Sequence, residues 1–232
     1  MRFSHIIKDS GPEKNSQAFS ITQGSIFKAL LYFFFPILAG TFFQQLYNTV
    51  DALVVGRFVG KEALAAVGGG SAVFVNLIVG FFVGLTSGGG VLISQFYGSQ
   101  NNRDISRAVH TSIALSLLGG LVMTFIALIL SKPILIIIKT PEETFNLSLR
   151  YLLIFFTSMV PMFVYNTTSA IFRATGDSFT PLLILIISCF LNILLDLIFV
   201  IILKLGVAGA ALATVICQCE SAVVSLVLLH KS

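Results

Sequence analysis

The sequence is poor in charge and contains no tryptophan. Only 10% of its 232 residues are Asp, Glu, Lys or Arg, whereas 56% are hydrophobic and the mean hydropathy is +0.97. A water-soluble domain cannot hide so much apolar surface in its interior. The scarcity of charge therefore excludes an ordinary globular protein. The absence of Trp leaves any aromatic belt at the membrane interfaces to the 22 Phe and five Tyr residues.

Two further classes of protein lack the residues they need. The 14 Lys and Arg residues are scattered and form no block or helical stripe, so a nucleic-acid-binding surface is not supported. The chain has three cysteines, and all lie in apolar segments, at Cys189, Cys217 and Cys219. An odd set of apolar cysteines predicts reduced structural thiols and no disulfide framework.

Catalytic and cofactor-binding patterns are also missing from the sequence. His5, His110 and His230 are far apart, and no Ser-His, paired-Asp or His-rich arrangement occupies facing positions. We therefore expect a protein that is not an enzyme. We also expect no cofactor other than a coupling ion, Na⁺ or H⁺.

What the sequence has instead is a series of long uncharged runs. A membrane-spanning helix needs roughly 20 apolar residues, and the longest uncharged run extends from Ala63 to Asn102. Hydropathy and turn signals predict an all-α polytopic membrane protein, with the Lys132-Pro133 pair ending its third helix. The predicted bundle occupies residues 25–232, with six spans at about 28–55, 64–97, 105–130, 149–172, 180–203 and 207–229.

The polar segment before the first span predicts the topology. Residues 1–24 carry Arg2, Lys8 and Lys14 and have no apolar run of signal-peptide length, so we interpret them as a retained cytoplasmic tail. Six spans place both ends on one side, and the basic tail favours the cytoplasm. The prediction is a multi-pass protein of the cell's inner (plasma) membrane with both termini cytoplasmic.

Polar residues inside the spans are the main candidates for function, because an ionisable group at mid-bilayer costs several kcal/mol unless it meets a partner or water. The three intramembrane carboxyl groups are Asp51, Asp196 and Glu220. Asp51 shares a helix face with Gln44, Tyr47 and Asn48, whereas Asn192 and Asp196 are one turn apart. Uncharged candidates for lining a cavity are Gln44, Asn48, Asn166 and Gln218.

Carboxylates beside amide, phenol and hydroxyl oxygens suit a hard monovalent cation or a transferable proton. The pattern therefore predicts a coupling-ion site that includes Asp51 and Asp196, with Asp51, Asn192 and Asp196 as possible Na⁺ ligands. The alternative is that these groups only hold helices together by hydrogen bonding. Glu220 lies beside Gln218 and matches no pattern with a known chemistry.

Two backbone features predict helix shape and packing. Pro36, inside the first span, would kink that helix. Gly80, Gly84 and Gly88 repeat every four residues and predict a groove where a neighbouring backbone approaches closely.

The sequence resembles the MATE family, the multidrug and toxic compound extrusion transporters, from about Ser25 to Leu229. Three motifs carry the likeness. They are Gln44-Gln-Leu-Tyr-Asn-Thr-Val-Asp51 after Pro36, Arg173-Ala-Thr-Gly-Asp177 followed by Asn192-Ile-Leu-Leu-Asp196, and Gly206-Val-Ala-Gly-Ala-Ala-Leu-Ala-Thr214. The resemblance implies a cation or proton site in this six-helix lobe, at Tyr47, Asp51, Asn192, Asp196 and Thr214. It also implies a bent first helix with Pro36 as its hinge.

The resemblance implies a function that the chain is too short to contain. MATE proteins have twelve helices in two lobes with a substrate cavity between them, whereas this chain has six. We therefore expect a truncated or half-length efflux antiporter for small, mostly cationic organic molecules. Its partner would be a missing C-terminal lobe or a second copy of the chain, in membrane lipid. The alternatives are a flippase-like transporter of lipid-linked saccharides and a non-transporting truncated membrane subunit.

Overall fold

The computed structural model describes residues 26–231, and their side chains from Leu30 onward, so the predicted tail of residues 1–24 lies outside the described residues. Within this part of the chain every regular element is helical. The α-helices are α1 Ile26–Phe58, α2 Lys61–Gly68, α3 Gly70–Gly98, α4 Asn102–Ile137, α5 Glu142–Phe155, α6 Met159–Ala174, α7 Phe179–Asp196 and α8 Val207–Lys231. A short 3₁₀ turn, Phe156–Ser158, joins α5 to α6, and a π-helical segment, Leu197–Ile202, continues α7.

These elements form six helices that are long and apolar enough to cross a membrane, which confirms the all-α, polytopic prediction. α2 and α3 share the second span, α5 and α6 the fourth, and α7 with the π segment the fifth. Large apolar side chains point outward along the bundle: Phe35, Leu77, Ile129 and Ile137 are each more than two-thirds exposed. Such a surface is stable in lipid and unfavourable in water.

The second span is broken at Gly69, where α2 ends and α3 begins. The Gly69 N–H donates to Ala65 O at 2.9 Å, and a Cβ at this position would lie 2.5 Å from that same oxygen. Only glycine, which has no Cβ, lets the backbone at position 69 come this close to the Ala65 carbonyl oxygen. The sequence analysis treated residues 64–97 as one uninterrupted helix and missed the break.

The third span does not end at Lys132-Pro133, contrary to the prediction, because α4 continues through Pro133 to Ile137. Proline removes the one backbone hydrogen bond that residue 133 would donate to Ile129 O, a loss that membrane helices tolerate. Pro133 lies within the last five residues of α4, so only one turn of the helix follows the lost bond. The chain turns at Lys139, which adopts a left-handed conformation with φ 53°.

The core of the bundle lies where α5, α6 and α8 meet α3 and α4. Aromatic rings fill its centre: Phe82 of α3 stacks on Phe163 of α6 with ring centroids 3.7 Å apart, and Phe74 meets the edge of Phe156 at 5.1 Å. α1 packs mainly on α7, at the side of this core. Polar side chains on the facing surfaces of α1, α7 and α8 therefore lie between packed helices.

The close helix approach occurs at a different glycine from those predicted. Within the described part of the chain, a Cβ added at Gly80, Gly84 or Gly88 would meet nothing within 4 Å, so the predicted groove is unoccupied within this lobe. At Gly120 of α4, by contrast, a Cβ would lie 2.8 Å from the Cα of Val160 in α6. The absence of a side chain at Gly120 is what lets α4 and α6 pack closely.

We therefore expect Gly120→Ala to lower the free energy of unfolding by about 1–3 kcal/mol, the usual range for overpacking. Alanine favours a helix over glycine by about 1 kcal/mol, but a clash with a backbone atom is not relieved by rotating a side chain. Thermal unfolding in detergent measures the effect. Gly84→Ala is the matched control and should leave stability unchanged or slightly higher. Equal effects of the two substitutions would contradict the close α4–α6 contact.

Candidate functional site

The structure brings the five residues of the predicted ion site together from three helices. α1 contributes Tyr47 and Asp51, α7 contributes Asn192 and Asp196, and α8 contributes Thr214. The Asp51 carboxyl group lies beside Asp196, Asn192 and Thr214, and the Tyr47 hydroxyl lies beside Thr214 and Asp51. Their role in binding an ion stays a prediction, but their convergence is a property of the fold.

Helical spacing places these side chains on facing surfaces. Tyr47 and Asp51 are four residues apart on α1, as are Asn192 and Asp196 on α7, so each pair occupies one helix face. Asp196 is the last α-helical residue before the π segment Leu197–Ile202, where Leu203 N donates to Ile198 O at 2.8 Å. Single π turns are frequent at functional sites because they re-aim the side chains next to them.

Most polar atoms of this site are buried and make no hydrogen bond of good geometry, whereas the Thr214 hydroxyl donates to Ala210 O of its own helix at 3.1 Å. Asn192 and Asp196 are fully buried, with 0% exposure. Among residues 26–231, no group bonds to either carboxylate oxygen of Asp196, to either amide atom of Asn192, to Asp51 Oδ1 or to the Tyr47 hydroxyl. A buried polar atom left in this state costs about 1–3 kcal/mol, and a charged one costs more. The lobe therefore holds its two carboxyl groups in an unfavourable setting.

No basic side chain compensates these carboxyl groups. The ion pair found in the described residues joins Arg107 and Asp104 at the start of α4, at 3.7 Å. The possible cation ligands that meet at the site are carboxylate, amide, phenol and hydroxyl oxygens, which a hard monovalent cation prefers. Two adjacent carboxyl groups also favour binding of a shared proton. No group of three or more His, Cys, Asp or Glu residues in the described chain suits a transition metal.

Tyr151 belongs to this site and was missed by the sequence analysis. It lies on α5, is 8% exposed, and interacts electrostatically with both Asp51 and Asp196. The only sequence signal was a phenol inside a predicted membrane span. Nothing in its spacing relates it to α1 or α7, because it comes from a different helix.

The structure brings together two of the four residues predicted to line a cavity and places the other two elsewhere. Gln44 and Asn166 border a cavity of about 110 Å³ between α1, α6 and α7, whose wall also includes Pro36. Asn166 also borders a larger, open cavity of about 470 Å³ beside α3. Asn48 is exposed and its amide donates to Gln45 Oε1 at 3.4 Å, outside both cavities. Gln218 is half-buried on α8, and its buried Oε1 accepts no hydrogen bond within the described chain.

Arg173, which the sequence analysis named only as part of a family motif, borders both cavities. It lies in the last turn of α6. The turn itself follows: Gly176 has φ 93°, and Asp177 Oδ1 accepts hydrogen bonds from the backbone N–H groups of Phe179 and Thr180. That carboxylate caps the start of α7.

Six apolar spans around a fully buried carboxyl group, Asp196, and a half-buried one beside it, Asp51, define a multi-pass membrane protein with an ionisable site inside the bundle. The chain belongs to the MatE family, whose model matches residues 36–198. This match includes Tyr47, Asp51, Asn192 and Asp196, whereas Thr214 lies beyond it.

Individual relatives agree with this assignment. The chain is 34% identical over 211 residues to "Probable multidrug resistance protein YoeA" of Bacillus subtilis, covering 89% of this chain and 45% of that protein. It is 26% identical over 224 residues to "Multidrug export protein MepA" of Staphylococcus aureus, covering 94% of this chain and 48% of that protein. The chain thus spans about half the length of the curated relatives it matches.

Solved structures show the same fold. An outward-facing MATE family transporter superimposes with a TM-score of 0.85 at 28% identity, over 94% of this chain and 48% of that one. A MATE protein in its bent conformation superimposes with a TM-score of 0.84 at 27% identity, over 93% and 48%. These similarities place the six helices as one lobe of the MATE fold.

The buried charge at Asp196 leads to a prediction about stability. Asp196→Asn should raise the free energy of unfolding by about 1–3 kcal/mol in alkaline, Na⁺-free buffer, because it removes a charge that has no partner. Thermal unfolding in detergent measures the change. Asp104→Asn, at a partly exposed ion pair, is the control and should stay within about 0.5 kcal/mol. A lower melting temperature for Asp196→Asn would mean that the carboxylate already stabilises the lobe.

Proposed function

We propose that the chain is the ion-binding lobe of a secondary active efflux transporter that exchanges small organic, mostly cationic, molecules for Na⁺ or H⁺. The observation that carries this proposal is the adjacent pair Asp51 and Asp196 between α1, α7 and α8, in which both oxygens of Asp196 and one of Asp51 are buried without a hydrogen-bond partner in the described chain. The names of the relatives support export of drugs, since YoeA and MepA are named for multidrug resistance and export.

The proposed mechanism uses the repulsion between the two carboxylates. In a low-dielectric site, one added positive charge changes the interaction of Asp51 with Asp196 enough to bias the packing of α1 against α7. Asp51, Asn192 and Asp196 would supply the ligands for Na⁺, with Tyr47 and Thr214 beside them. A proton would be shared by the two carboxyl groups. Binding at this site and binding of the organic molecule are then linked reciprocally.

α1 is the element proposed to transmit the change. Pro36 lies inside α1, is buried, and borders the same cavity as Gln44 and Asn166. Proline leaves one carbonyl of the preceding turn without its backbone donor, so the helix bends there at low cost. Solved structures of MATE proteins in a bent conformation and in a straight conformation support a fold with more than one conformation.

The working transporter is proposed to pair this lobe with a second one in membrane lipid. The relatives are about twice as long, and the 470 Å³ cavity is open at the side of the bundle. The second lobe is a C-terminal half or another copy of this chain. We place the assembly in the cell's inner (plasma) membrane with both termini of this lobe cytoplasmic.

A flippase-like transporter of lipid-linked saccharides is the second candidate, and one observation favours it. Arg173 borders both cavities and forms no ion pair within the described residues. A guanidinium group binds phosphate well. A single arginine at the end of α6 nevertheless makes a cavity with little positive charge.

Efflux of ethidium from cells tests the main proposal. Cells that express the chain together with a second lobe should expel the dye, and Asp51→Asn combined with Asp196→Asn should reduce the rate about tenfold or more, because a coupling energy of 1–3 kcal/mol is lost. Asp104→Asn is the control and should have no effect. Unimpaired efflux by the double variant would remove the coupling role of the two carboxyl groups.

Reconstituted vesicles distinguish the coupling ion and the alternatives. An outward Na⁺ gradient without a pH gradient should drive uptake of the dye by exchange if Na⁺ is the ion, and an acidic vesicle interior alone should drive it if H⁺ is. Transport of a lipid-linked saccharide, sensitive to Arg173→Gln and insensitive to Asp51→Asn, would favour the flippase. No transport of either substrate would indicate a non-transporting subunit.

A further inference from the structure

The cavity of about 110 Å³ between α1, α6 and α7 is separate from the ion site, because none of the five residues of that site lines it. One water molecule takes about 30 Å³ in the liquid, so the cavity has room for a small polyatomic group such as a phosphate. Its wall contains one charged side chain, Arg173, and no Asp or Glu. The charge of the wall is therefore positive.

The Arg173 side chain has no ionic partner within the described residues. The nearest carboxylate along the chain, Asp177, caps α7 instead, since its Oδ1 accepts hydrogen bonds from the N–H groups of Phe179 and Thr180 at 3.0 and 2.9 Å. A guanidinium group has five N–H donors and no acceptor. A ligand that satisfies Arg173 must therefore present acceptor atoms, and a negative charge strengthens these hydrogen bonds.

Ser169 places a second donor beside Arg173. The two residues are four apart on α6, so their Cβ atoms are about 5–6 Å apart on one helix face, and both line the cavity. Ser169 is 3% exposed, and its hydroxyl makes no hydrogen bond of good geometry within the described chain. A cation in the last turn of α6 complements the helix dipole, but that role does not account for a buried, unpaired hydroxyl next to it.

Other polar groups near these helices are already bonded. Tyr165, one turn before Ser169 on α6, donates its hydroxyl to Pro181 O of α7 at 3.2 Å. At the interface of α7 and α8, Ser188 donates to Glu220 and also bonds to the Ser221 hydroxyl. The Glu220 carboxyl group, which matched no pattern in the sequence, thus takes part in helix packing.

A ligand has a route into the small cavity from the open cavity of about 470 Å³, because Asn166 and Arg173 border both. The wall of the open cavity also contains apolar side chains, among them Phe33, Val83 and Val91. Basic pockets between membrane helices bind the head groups of anionic lipids. A lipid head group and a soluble phosphate present the same oxygens to Arg173 and Ser169.

We propose that Arg173 and Ser169 form an anion-binding site, in the cavity between α1, α6 and α7, that takes a phosphate group. The phosphate belongs to an anionic lipid or to a soluble anion. Because Pro36 and Gln44 of α1 line the same cavity, a bound phosphate lies against the first helix near its proline. The site is a property of this lobe and does not depend on which molecule or ion the proposed transporter moves.

Thermal unfolding of the purified chain in detergent tests the site with inorganic phosphate as the probe. Phosphate that replaces chloride at constant ionic strength should raise the melting temperature, and the concentration dependence gives a Kd. Arg173→Gln should raise this Kd about tenfold or more, because a charge-assisted hydrogen bond is lost. Arg103→Gln removes the same charge at an exposed position that borders neither cavity, and should leave the Kd unchanged. Equal effects of the two variants would overturn the site.

Ser169→Ala keeps the test decisive if Arg173→Gln does not fold. It removes a buried hydroxyl that has no partner, so the melting temperature without phosphate should stay the same or rise. The Kd for phosphate should nevertheless rise about threefold, since one hydrogen bond to the ligand is lost. An unchanged Kd in the folded Ser169→Ala variant would overturn the placement of the anion in this cavity.

Reconstituted vesicles separate the two sources of phosphate. If a lipid is the ligand, phosphatidylglycerol added to phosphatidylcholine vesicles should raise the melting temperature, Arg173→Gln should lose most of this rise, and Arg103→Gln should keep it. A rise with inorganic phosphate alone would assign a soluble anion, and no rise in either experiment would overturn the site. Because these measurements report binding to the lobe, unimpaired dye efflux by the Asp51→Asn and Asp196→Asn double variant would remove only the transport proposal.

Discussion

The architecture depends on two carboxyl groups held side by side in a medium that opposes their charge. Asp196 is fully buried, its oxygens have no hydrogen-bond partner in the described chain, and Asp51 lies next to it. An isolated ionised carboxylate at mid-bilayer costs several kcal/mol, and its neighbour adds repulsion. The surrounding helices must therefore stabilise the lobe by enough to retain this pair. Relief of the repulsion by a bound cation or proton is part of the proposed function.

The stabilisation comes from close packing of small and polar residues around α8. Ala208, Gly209, Ala210, Ala211 and Ala213 are almost fully buried where α8 meets its neighbours. In lipid, helices associate through close packing and interhelical hydrogen bonds, because burial of apolar surface gives no advantage there. The bond from Thr168 of α6 to Ser225 of α8, 2.8 Å long, and the Ser188 bonds serve this purpose. The same small residues let Thr214 and Glu220 reach groups on neighbouring helices.

The lobe presents different surfaces on its different sides. Most of its circumference is apolar and suited to acyl chains, whereas the side formed by α1, α3 and α6 carries the open cavity with Asn166 and Arg173. The three glycines of α3 that face nothing within the described chain, Gly80, Gly84 and Gly88, are consistent with a helix that packs against something outside this lobe. The half-length match to MATE proteins accounts for such a surface, since their second lobe lies opposite the first.

Hydropathy and residue spacing were sufficient to predict six spans, the all-α class and the shared faces of Tyr47 with Asp51 and Asn192 with Asp196, because these features arise within single helices. The family motifs then implied that Thr214 joins them. The break at Gly69, the continuation of α4 through Pro133 and the π segment after Asp196 were not predictable, since each depends on backbone hydrogen bonds that packing makes available. Tyr151 beside Asp51, and Ser188 beside Glu220, are contacts between helices distant in sequence. Only the tertiary structure decides them, because the register of one helix against another is set by side-chain packing across the whole interface, which no single segment encodes.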